Sequence, residues 1–265
     1  SIAGAVVFGA AWAFIPAYLQ ATRGSHVVIT TIMFNFIAAS LMVFLLVDVI
    51  RDTSQMGPHT VALPKEQWFP SFKDFAGLFG IKIRYSPLNI SFLLAIAASV
   101  FVWFLVWKTR WGYEMRAVGH NTQAAIYAGI SPYKNIIIAM CISGGLAGLL
   151  GVNEILGVHH KIVAGFPAGY GFTGIAVALM GRNHPIGIFP AAFLFGILYQ
   201  GGSEVTFDMP NITRYMFVAV QGVIILFSGA LENLFRPQIE SFFVNRLNIK
   251  AVSYTHLTLP TILRV

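Results

Sequence analysis

Five polar side chains interrupt the long apolar runs of this 265-residue sequence and are its best candidates for recognition or chemistry: Asn35, Asn153, Glu154, Thr173 and Gln221. A polar side chain inside a membrane costs free energy unless a neighbouring helix or water pairs with it. Each of these residues, taken singly, is compatible with a structural hydrogen bond between helices. Taken together, their amide, hydroxyl and carboxylate groups match the hydroxyls of an uncharged polar solute. We therefore predict that they line a substrate pathway.

Motifs for catalysis, metal binding and nucleotide binding are weak or absent in the sequence. The glycines at 169, 171 and 174 form a GxGxxG pattern, but neither a preceding strand nor a suitably spaced acidic residue supports a dinucleotide site. No Walker A pattern occurs. His159 and His160 have no third ligand at a suitable spacing. We expect no catalytic residue, no metal and no cofactor, and interpret the chain as a protein other than an enzyme.

The composition indicates an integral membrane protein. The chain is 57% hydrophobic and only 10% charged, whereas a soluble domain carries about 25% charged residues. The net charge of +7 is typical of basic loops on the cytoplasmic side of a membrane. The partner that this composition predicts is therefore the lipid bilayer, and we expect no nucleic-acid binding.

About seven hydrophobic segments predict an all-α, polytopic transmembrane helical bundle. They are Ile2 to Gln20, Val27 to Ile50, Leu88 to Trp107, Asn135 to Gly157, Ile162 to Gly181, Ile186 to Gln200, and Ile212 to Leu231. The fifth is discontinuous, because glycines and a proline break its first half. It is either a broken helix beside a transport pathway or a loop followed by a short helix. Two small-xxx-small pairs in the fourth segment, Gly144 with Gly148 and Ala147 with Gly151, predict close helix packing.

Basic residues in short loops set the predicted orientation. They are Arg23, then Lys108, Arg110, Arg116 and Lys134, then Arg182, and finally Arg236 and Arg246. These loops alternate consistently along the chain, so we assign them to the cytoplasmic side. The long loop from Arg51 to Tyr85 then becomes an external excursion.

A short polar helix is predicted between the third and fourth segments. Asn121 is a good N-cap, and Gly129 can adopt the left-handed conformation that ends a helix. Ser131 and Pro132 then begin the next membrane helix. Because Ala124, Ala125 and Ala128 give this helix a small-residue surface, we expect it to dock on a protein partner.

The C-terminal residues differ from the rest of the chain. Residues 251–265 have no helical period, and their sequence VSYTHLTLPTI resembles the translation of a sequencing adapter. We assign residues 1–250 to a transmembrane domain and interpret 251–265 as a non-native tail.

Three stretches carry a specific resemblance: VITTIMFNFIA, RWGYEMRAVGHNTQAAIYAGI and GVNEILGVHHKIVAGFPAGYGFTGIAVALMGRNHPIG. They resemble the permease subunits of bacterial ABC importers for nucleosides and simple sugars, over about Ser1 to Leu231. The resemblance implies a multi-pass protein of the bacterial inner membrane, which pairs with a second permease, cytoplasmic ATPases and a lipoprotein or periplasmic solute-binding protein. It also implies further N-terminal helices, so we expect this chain to be a fragment that lacks them.

The resemblance gives the short polar helix a role. In that family the loop matching Gly119 to Ile130 carries a coupling helix that seats in the ATPase, which implies coupling residues at Gly119, Asn121, Ala124, Ala125, Ala128 and Gly129. An alternative function is an ion-coupled secondary carrier for a small polar solute. Such a carrier needs intramembrane carboxylates or ion pairs, for which Glu154 is the sole candidate.

Overall fold

The computed structural model describes residues 1–51, 57–70, 88–166, 169–209, 216–224 and 226–227. The chain divides into two compact units, Ser1–Phe172 and Thr173–Val265. The described residues are mainly helical, and they include an isolated antiparallel bridge between His59 and Val163. The predicted all-α class is confirmed.

Eight α-helices are described: α1 (Ile2–Arg23), α2 (Val27–Phe44), α3 (Ser91–Lys108), α4 (Arg110–His120), α5 (Thr122–Tyr127), α6 (Pro132–Val152), α7 (Tyr170–Met180) and α8 (Pro185–Asp208). π-Helical turns extend α2 over Leu45–Val49 and α6 over Asn153–His159, and residues 216–224 are also helical. Within the described ranges, 5 helices are long and apolar enough to cross a membrane. The polytopic character predicted from the composition is thereby confirmed.

Small residues bring α1 and α6 into close contact. A Cβ added at Gly9 would lie 2.4 Å from the carbonyl oxygen of Gly144, and one added at Gly148 would lie 2.3 Å from that of Ala5. The first predicted small-residue pair therefore packs as expected. The second does not, because nothing lies within 4 Å of a Cβ added at Gly151. The rotation of α6 about its own axis decides which pair meets α1.

The contacts also fix the relative directions of the helices in the first unit. Rising residue numbers in α1 meet falling numbers in α6, so the two helices are antiparallel. The ends of α1 and α3 that carry Arg23 and Lys108 therefore lie at the same face as Lys134. This agrees with the predicted alternation of the basic loops. We call the face that carries Arg23, Lys108 and Lys134 the basic face.

The loop 57–70 packs on the opposite end of α6. The amide nitrogen of Phe69 donates to the carbonyl oxygen of Leu156 at 3.0 Å, and that of Leu63 donates to the carbonyl of His160 at 2.8 Å. The Trp68 ring stacks on the His160 ring at a centroid distance of 3.7 Å and an interplanar angle of 7°. The described part of this loop thus lies at the end of α6 opposite the basic face, and its external placement stays a prediction.

The fifth hydrophobic segment is interrupted as predicted, because only its second half, α7, is helical. Residues 162–166 instead lie beside the loop 57–70, where the amide nitrogen of Thr60 donates to the carbonyl oxygen of Ile162 at 3.1 Å. Gly165 and Gly169 have φ angles of 75° and 81°. Such left-handed values end any helical run and favour glycine.

The second unit contains a helical hairpin. Residues Ala176 and Val177 of α7 pack with Ala191 and Phe195 of α8 in a buried cluster. Pro185 occupies the first turn of α8, and His184 Nδ1 accepts a hydrogen bond from the Ile186 amide at 3.3 Å. The tail 251–265 lies outside the described residues.

Candidate functional site

Five side chains form a polar cluster at the end of α6 opposite the basic face: Asn89, Ser91, Asn153, Glu154 and His159. Asn89 and Ser91 come from the start of α3, and the other three come from the π-helical turn that extends α6. Asn89 and Glu154 are 8% and 7% exposed. These two members are therefore buried, whereas Ser91 and Asn153 are half-buried and His159 is exposed.

Hydrogen bonds link the two helices through Asn153. Its Oδ1 accepts from Asn89 Nδ2 at 3.5 Å and also from the Ser91 hydroxyl. Its Nδ2 donates to Glu154 Oε1 at 3.2 Å. Asn89 Oδ1 in turn accepts from the backbone amide of Ser91, and it shares the single hydroxyl hydrogen of Ser91 with Asn153 Oδ1. Asn153 is thus the centre of the cluster, and Glu154 is its buried charged end.

The π-helical geometry brings Glu154 and His159 together. Residues five apart in an α-helix point about 140° away from each other, since each residue turns the helix by about 100°. A π-helix bonds residue i to i+5 and places such a pair on one side. His159 Nε2 lies 3.6 Å from Glu154 Oε2, and the pair becomes an ion pair when the imidazole is protonated.

Gly157 allows the start of α3 to approach α6. A Cβ added at Gly157 would lie 2.2 Å from Asn89 Nδ2 and 3.3 Å from Asn153 Oδ1. Any larger residue would therefore displace Asn89 from the cluster. The absence of a side chain at this position is what joins Asn89 to Asn153.

The predicted pathway residues occupy different places. Asn153 and Glu154 are hydrogen-bonded neighbours, whereas Asn35 lies on the exposed surface of α2 and makes no bond to them. Thr173 is exposed on α7, and Gln221 is half-buried in the helical residues 216–224; both belong to the second unit. The structure therefore joins two of the five.

Asn89, Ser91 and His159 complete the cluster, and the sequence patterns did not select them as site residues. Asn89 and Ser91 lie where helix-capping residues are expected, which hides any other role. A usable signal was nevertheless present. Opposite helix directions place the start of the third hydrophobic segment at the same membrane face as the end of the fourth, beside Asn153 and Glu154.

An apolar groove lies between α1, α3 and α6, on the membrane-spanning part of the first unit. It has a volume of about 520 Å³ and is lined by residues such as Val6, Ala97, Phe101, Cys141 and Leu146. Its walls offer almost no hydrogen-bonding groups, so they are poorly suited to binding a polar solute.

The short polar helix α5 forms as the sequence predicts. Asn121 Oδ1 accepts from the Ala124 amide at 3.1 Å, and Gly129 has a φ of 78°. The Ile130 amide donates to the Ala125 carbonyl at 2.9 Å and closes the C-terminal turn. Pro132 then begins α6, although the Ser131 hydroxyl makes no capping bond. Gly119 lies on the exposed last turn of α4, just before α5.

One expectation about the surface of α5 is wrong. Ala125 is 3% exposed and packs inside the chain, so it is not part of a docking surface. Ala124 and Ala128 are exposed, and Tyr127 is 93% exposed. The exposed face is therefore formed by Ala124, Tyr127 and Ala128, while Ala125 anchors the helix.

These features define a class of protein. The five membrane-length helices described above, joined in the first unit by a short capped helix at the basic face, are the parts of a multi-pass helical membrane protein. In the described residues no group of three or more His, Cys, Asp or Glu side chains is arranged to hold a metal ion.

Comparison with known proteins identifies the family within that class. The family described as branched-chain amino acid transport system / permease component matches residues 1–229, and the chain belongs to it. The chain is 36% identical over 226 residues to the guanosine ABC transporter permease protein NupP of Bacillus subtilis, covering 84% of this chain and 62% of that protein. No solved structure shows a significant match.

Other relatives are named for different solutes. The nucleoside ABC transporter permease protein NupB of Lactococcus lactis is 36% identical, with 81% of this chain and 59% of that protein covered. The glucose ABC transporter permease protein of Haloferax volcanii is 33% identical, with 92% and 64% covered. The chain thus spans somewhat less than two thirds of the length of these relatives.

Proposed function

We propose that this chain is the membrane-spanning permease subunit of an ATP-driven importer that translocates nucleosides or simple sugars. The observation that carries the proposal is the 36% identity to a guanosine permease over 84% of the chain. The family description names branched-chain amino acids, but the three relatives described above, each at least 33% identical, are named for guanosine, nucleosides and glucose. Bacterial inner membrane is the location that fits such a subunit.

The proposed partners follow from the two ends of the molecule. At the basic face, which we assign to the cytoplasm, α5 presents Ala124, Tyr127 and Ala128 to an ATPase subunit. Asn121 and Gly129 cap this coupling helix, Gly119 precedes it, and Ala125 anchors it. ATP hydrolysis belongs to those separate subunits, because the sequence has no Walker A pattern. A second permease subunit and a periplasmic or lipoprotein solute-binding protein complete the proposed transporter.

The proposed pathway carries the solute past polar side chains. Asn153 and Glu154 are the proposed pathway residues at the end of α6 opposite the coupling helix. We retain three further proposed members: Asn35, Thr173 and Gln221. Support for this assignment is chemical: amide, hydroxyl and carboxylate groups exchange hydrogen bonds with sugar hydroxyls without requiring a charged solute.

Uptake by a purified system tests the proposal. The transporter containing this chain is reconstituted in liposomes with the ATPase, second permease and binding protein encoded beside it, and labelled guanosine, uridine, glucose and leucine are offered. We expect ATP-dependent uptake of a nucleoside or of glucose, and none with a non-hydrolysable ATP analogue. Uptake of leucine alone would contradict the proposed solutes. Uptake that needs an ion gradient instead of ATP would contradict the proposed mechanism.

A further inference from the structure

We propose that the polar cluster of Asn89, Ser91, Asn153, Glu154 and His159 is a binding site for a vicinal diol of the transported solute. Such a diol is present in a ribonucleoside and in a pyranose sugar. The inference rests on the proposed function and adds to it the atoms that form hydrogen bonds with the solute.

The unused hydrogen-bonding capacity of the cluster carries the inference. Within the described residues Glu154 accepts one hydrogen bond, from Asn153 Nδ2, and its other oxygen lies near His159. An ionised carboxylate can accept about four hydrogen bonds. Two adjacent hydroxyls present two donors side by side, and the paired oxygens of one carboxylate receive them in the way they receive the paired donors of a guanidinium.

The amides supply donors beside this acceptor. Asn153 Nδ2 and Asn89 Nδ2 each donate one hydrogen within the cluster, to Glu154 Oε1 and Asn153 Oδ1. Each amide nitrogen carries two hydrogens, and among the bonds of the described residues one on each remains for a hydroxyl oxygen. Acceptors for the diol hydrogens and donors for the diol oxygens therefore lie in one cluster.

The position of the cluster suits a site that receives solute from water. Glu154 lies 22 residues after Pro132, which corresponds to about 33 Å along a helix. A hydrocarbon core is about 30 Å thick, so the carboxylate lies near the membrane boundary. The His159 side chain is 41% exposed and the Glu154 side chain 9%, so the cluster is open at its histidine and closed at its carboxylate.

A purely structural role does not account for the carboxylate. Asn89, Ser91 and Asn153 already link α3 to α6 without it. Accepting a single hydrogen bond requires only an amide or hydroxyl oxygen, whose burial costs less than that of a charge. The contact with His159 lies within the same π-helical turn and joins no second helix. A carboxylate held at 7% exposure is explained by the strength with which it binds hydroxyl donors in a site of low dielectric constant.

Paired substrates and a matched variant test the site. Uptake of a ribonucleoside and of its 2′,3′-dideoxy analogue is measured in the reconstituted transporter, at concentrations that saturate the binding protein for both. Differences then report on the membrane subunit. If glucose is the solute carried, its deoxy analogues replace the dideoxynucleoside. Glu154→Gln keeps the size of the side chain and removes the carboxylate, while Glu66→Gln, on the exposed loop 57–70, is the control.

We expect Glu154→Gln to lower ribonucleoside uptake about tenfold or more, which is the effect of losing hydrogen bonds to a charged group. Uptake of the dideoxy analogue should change by less than about twofold. An equal fall for both solutes, or no fall for either, overturns the inference while leaving the proposed function intact. A transporter that carries neither nucleosides nor sugars overturns both.

A second variant covers the case in which Glu154→Gln lowers the folded yield. His159→Gln changes the exposed member of the cluster and should fold normally. Because it loosens the orientation of the carboxylate, we expect the preference for the ribonucleoside over its dideoxy analogue to fall at least threefold, without loss of dideoxy uptake. If Glu154→Gln does not fold and His159→Gln keeps the full preference for the ribonucleoside over its dideoxy analogue, the cluster serves stability alone. That result overturns the inference.

Discussion

A Cβ atom added at Gly148 would lie 2.3 Å from the carbonyl oxygen of Ala5. The atom it would meet belongs to the backbone of α1, which cannot rotate away as a side chain can. The crossing of α1 and α6 therefore depends on the absence of a side chain at this position, as small residues commonly permit between membrane helices.

Gly148→Ala should destabilise the first unit by separating α1 from α6. Overpacking of this kind costs about 1–3 kcal/mol, so we expect a lower thermal unfolding midpoint in detergent. Gly151→Ala is the matched control in the same helix, because its added Cβ meets nothing within 4 Å. That variant should be neutral or slightly stabilising, since alanine is the better helix former. Equal midpoints for the two variants would contradict the packing described here.

The two sides of α5 should respond differently to a glutamate. Ala128→Glu places a charge on the exposed face, so folded yield should be normal while solute-stimulated ATP hydrolysis and uptake fall together. Ala125→Glu buries a charge without a partner, which is severely destabilising, and should lower the folded yield itself. Yield is read by size-exclusion chromatography. Normal coupling in Ala128→Glu would remove the proposed role of α5.

The cap of α5 should control its local stability. Asn121→Ala removes the bond to the Ala124 amide and costs about 1 kcal/mol, so hydrogen exchange of the α5 amides should quicken about fivefold. Gln123→Ala alters an exposed residue of the same helix that makes no capping bond, and exchange should hardly change. Gly129→Val forces a β-branched residue to a φ of 78°, which is strongly disfavoured, and should quicken exchange further.

The stack of Trp68 on His160 should hold the loop 57–70 against the end of α6. An aromatic pair contributes about 0.5–1.5 kcal/mol beyond its buried area, so Trp68→Leu should increase the rate of limited proteolysis within 57–70. Trp111→Leu changes a tryptophan that is exposed on α4 and serves as the control. If His160→Leu increases the proteolysis rate by the same factor in the Trp68→Leu variant as in the unmodified protein, the two rings do not act as a pair.

Removal of residues 251–265 should leave expression and uptake unchanged. A non-native tail has no evolved contacts that would offset the conformational entropy lost on ordering it. The comparison is between the complete transporter with and without these residues, by yield of membrane-inserted protein and by solute uptake. A marked loss of either would show that the tail belongs to the protein.

Much of the helical framework was predictable because its causes are local. An apolar run of about 20 residues predicts a membrane helix whatever surrounds it. Asn121 caps α5 through the amide of Ala124, and Gly129 ends it, within a few residues of chain. Basic residues between the runs likewise predicted which helix ends share a face. These features need no knowledge of the tertiary structure.

Helix boundaries were less predictable where tertiary contacts act. The fourth segment was expected as one helix to Gly157, but α6 changes to π geometry at Asn153. That change aligns Glu154 with His159, and the missing side chain of Gly157 admits Asn89. No local pattern encodes it, because the extra residue in the turn is stabilised by groups from another helix.

The sequence by itself therefore determined the class of protein, its helices, their alternating directions and the caps of α5. Only the tertiary structure decided that Asn89 meets Asn153, that Trp68 stacks on His160 and that Ala125 is buried. Each of these depends on how a helix is rotated about its axis or on a contact between distant parts of the chain. A helix that is apolar all round has no polar face to reveal that rotation, so only packing against its neighbours fixes it.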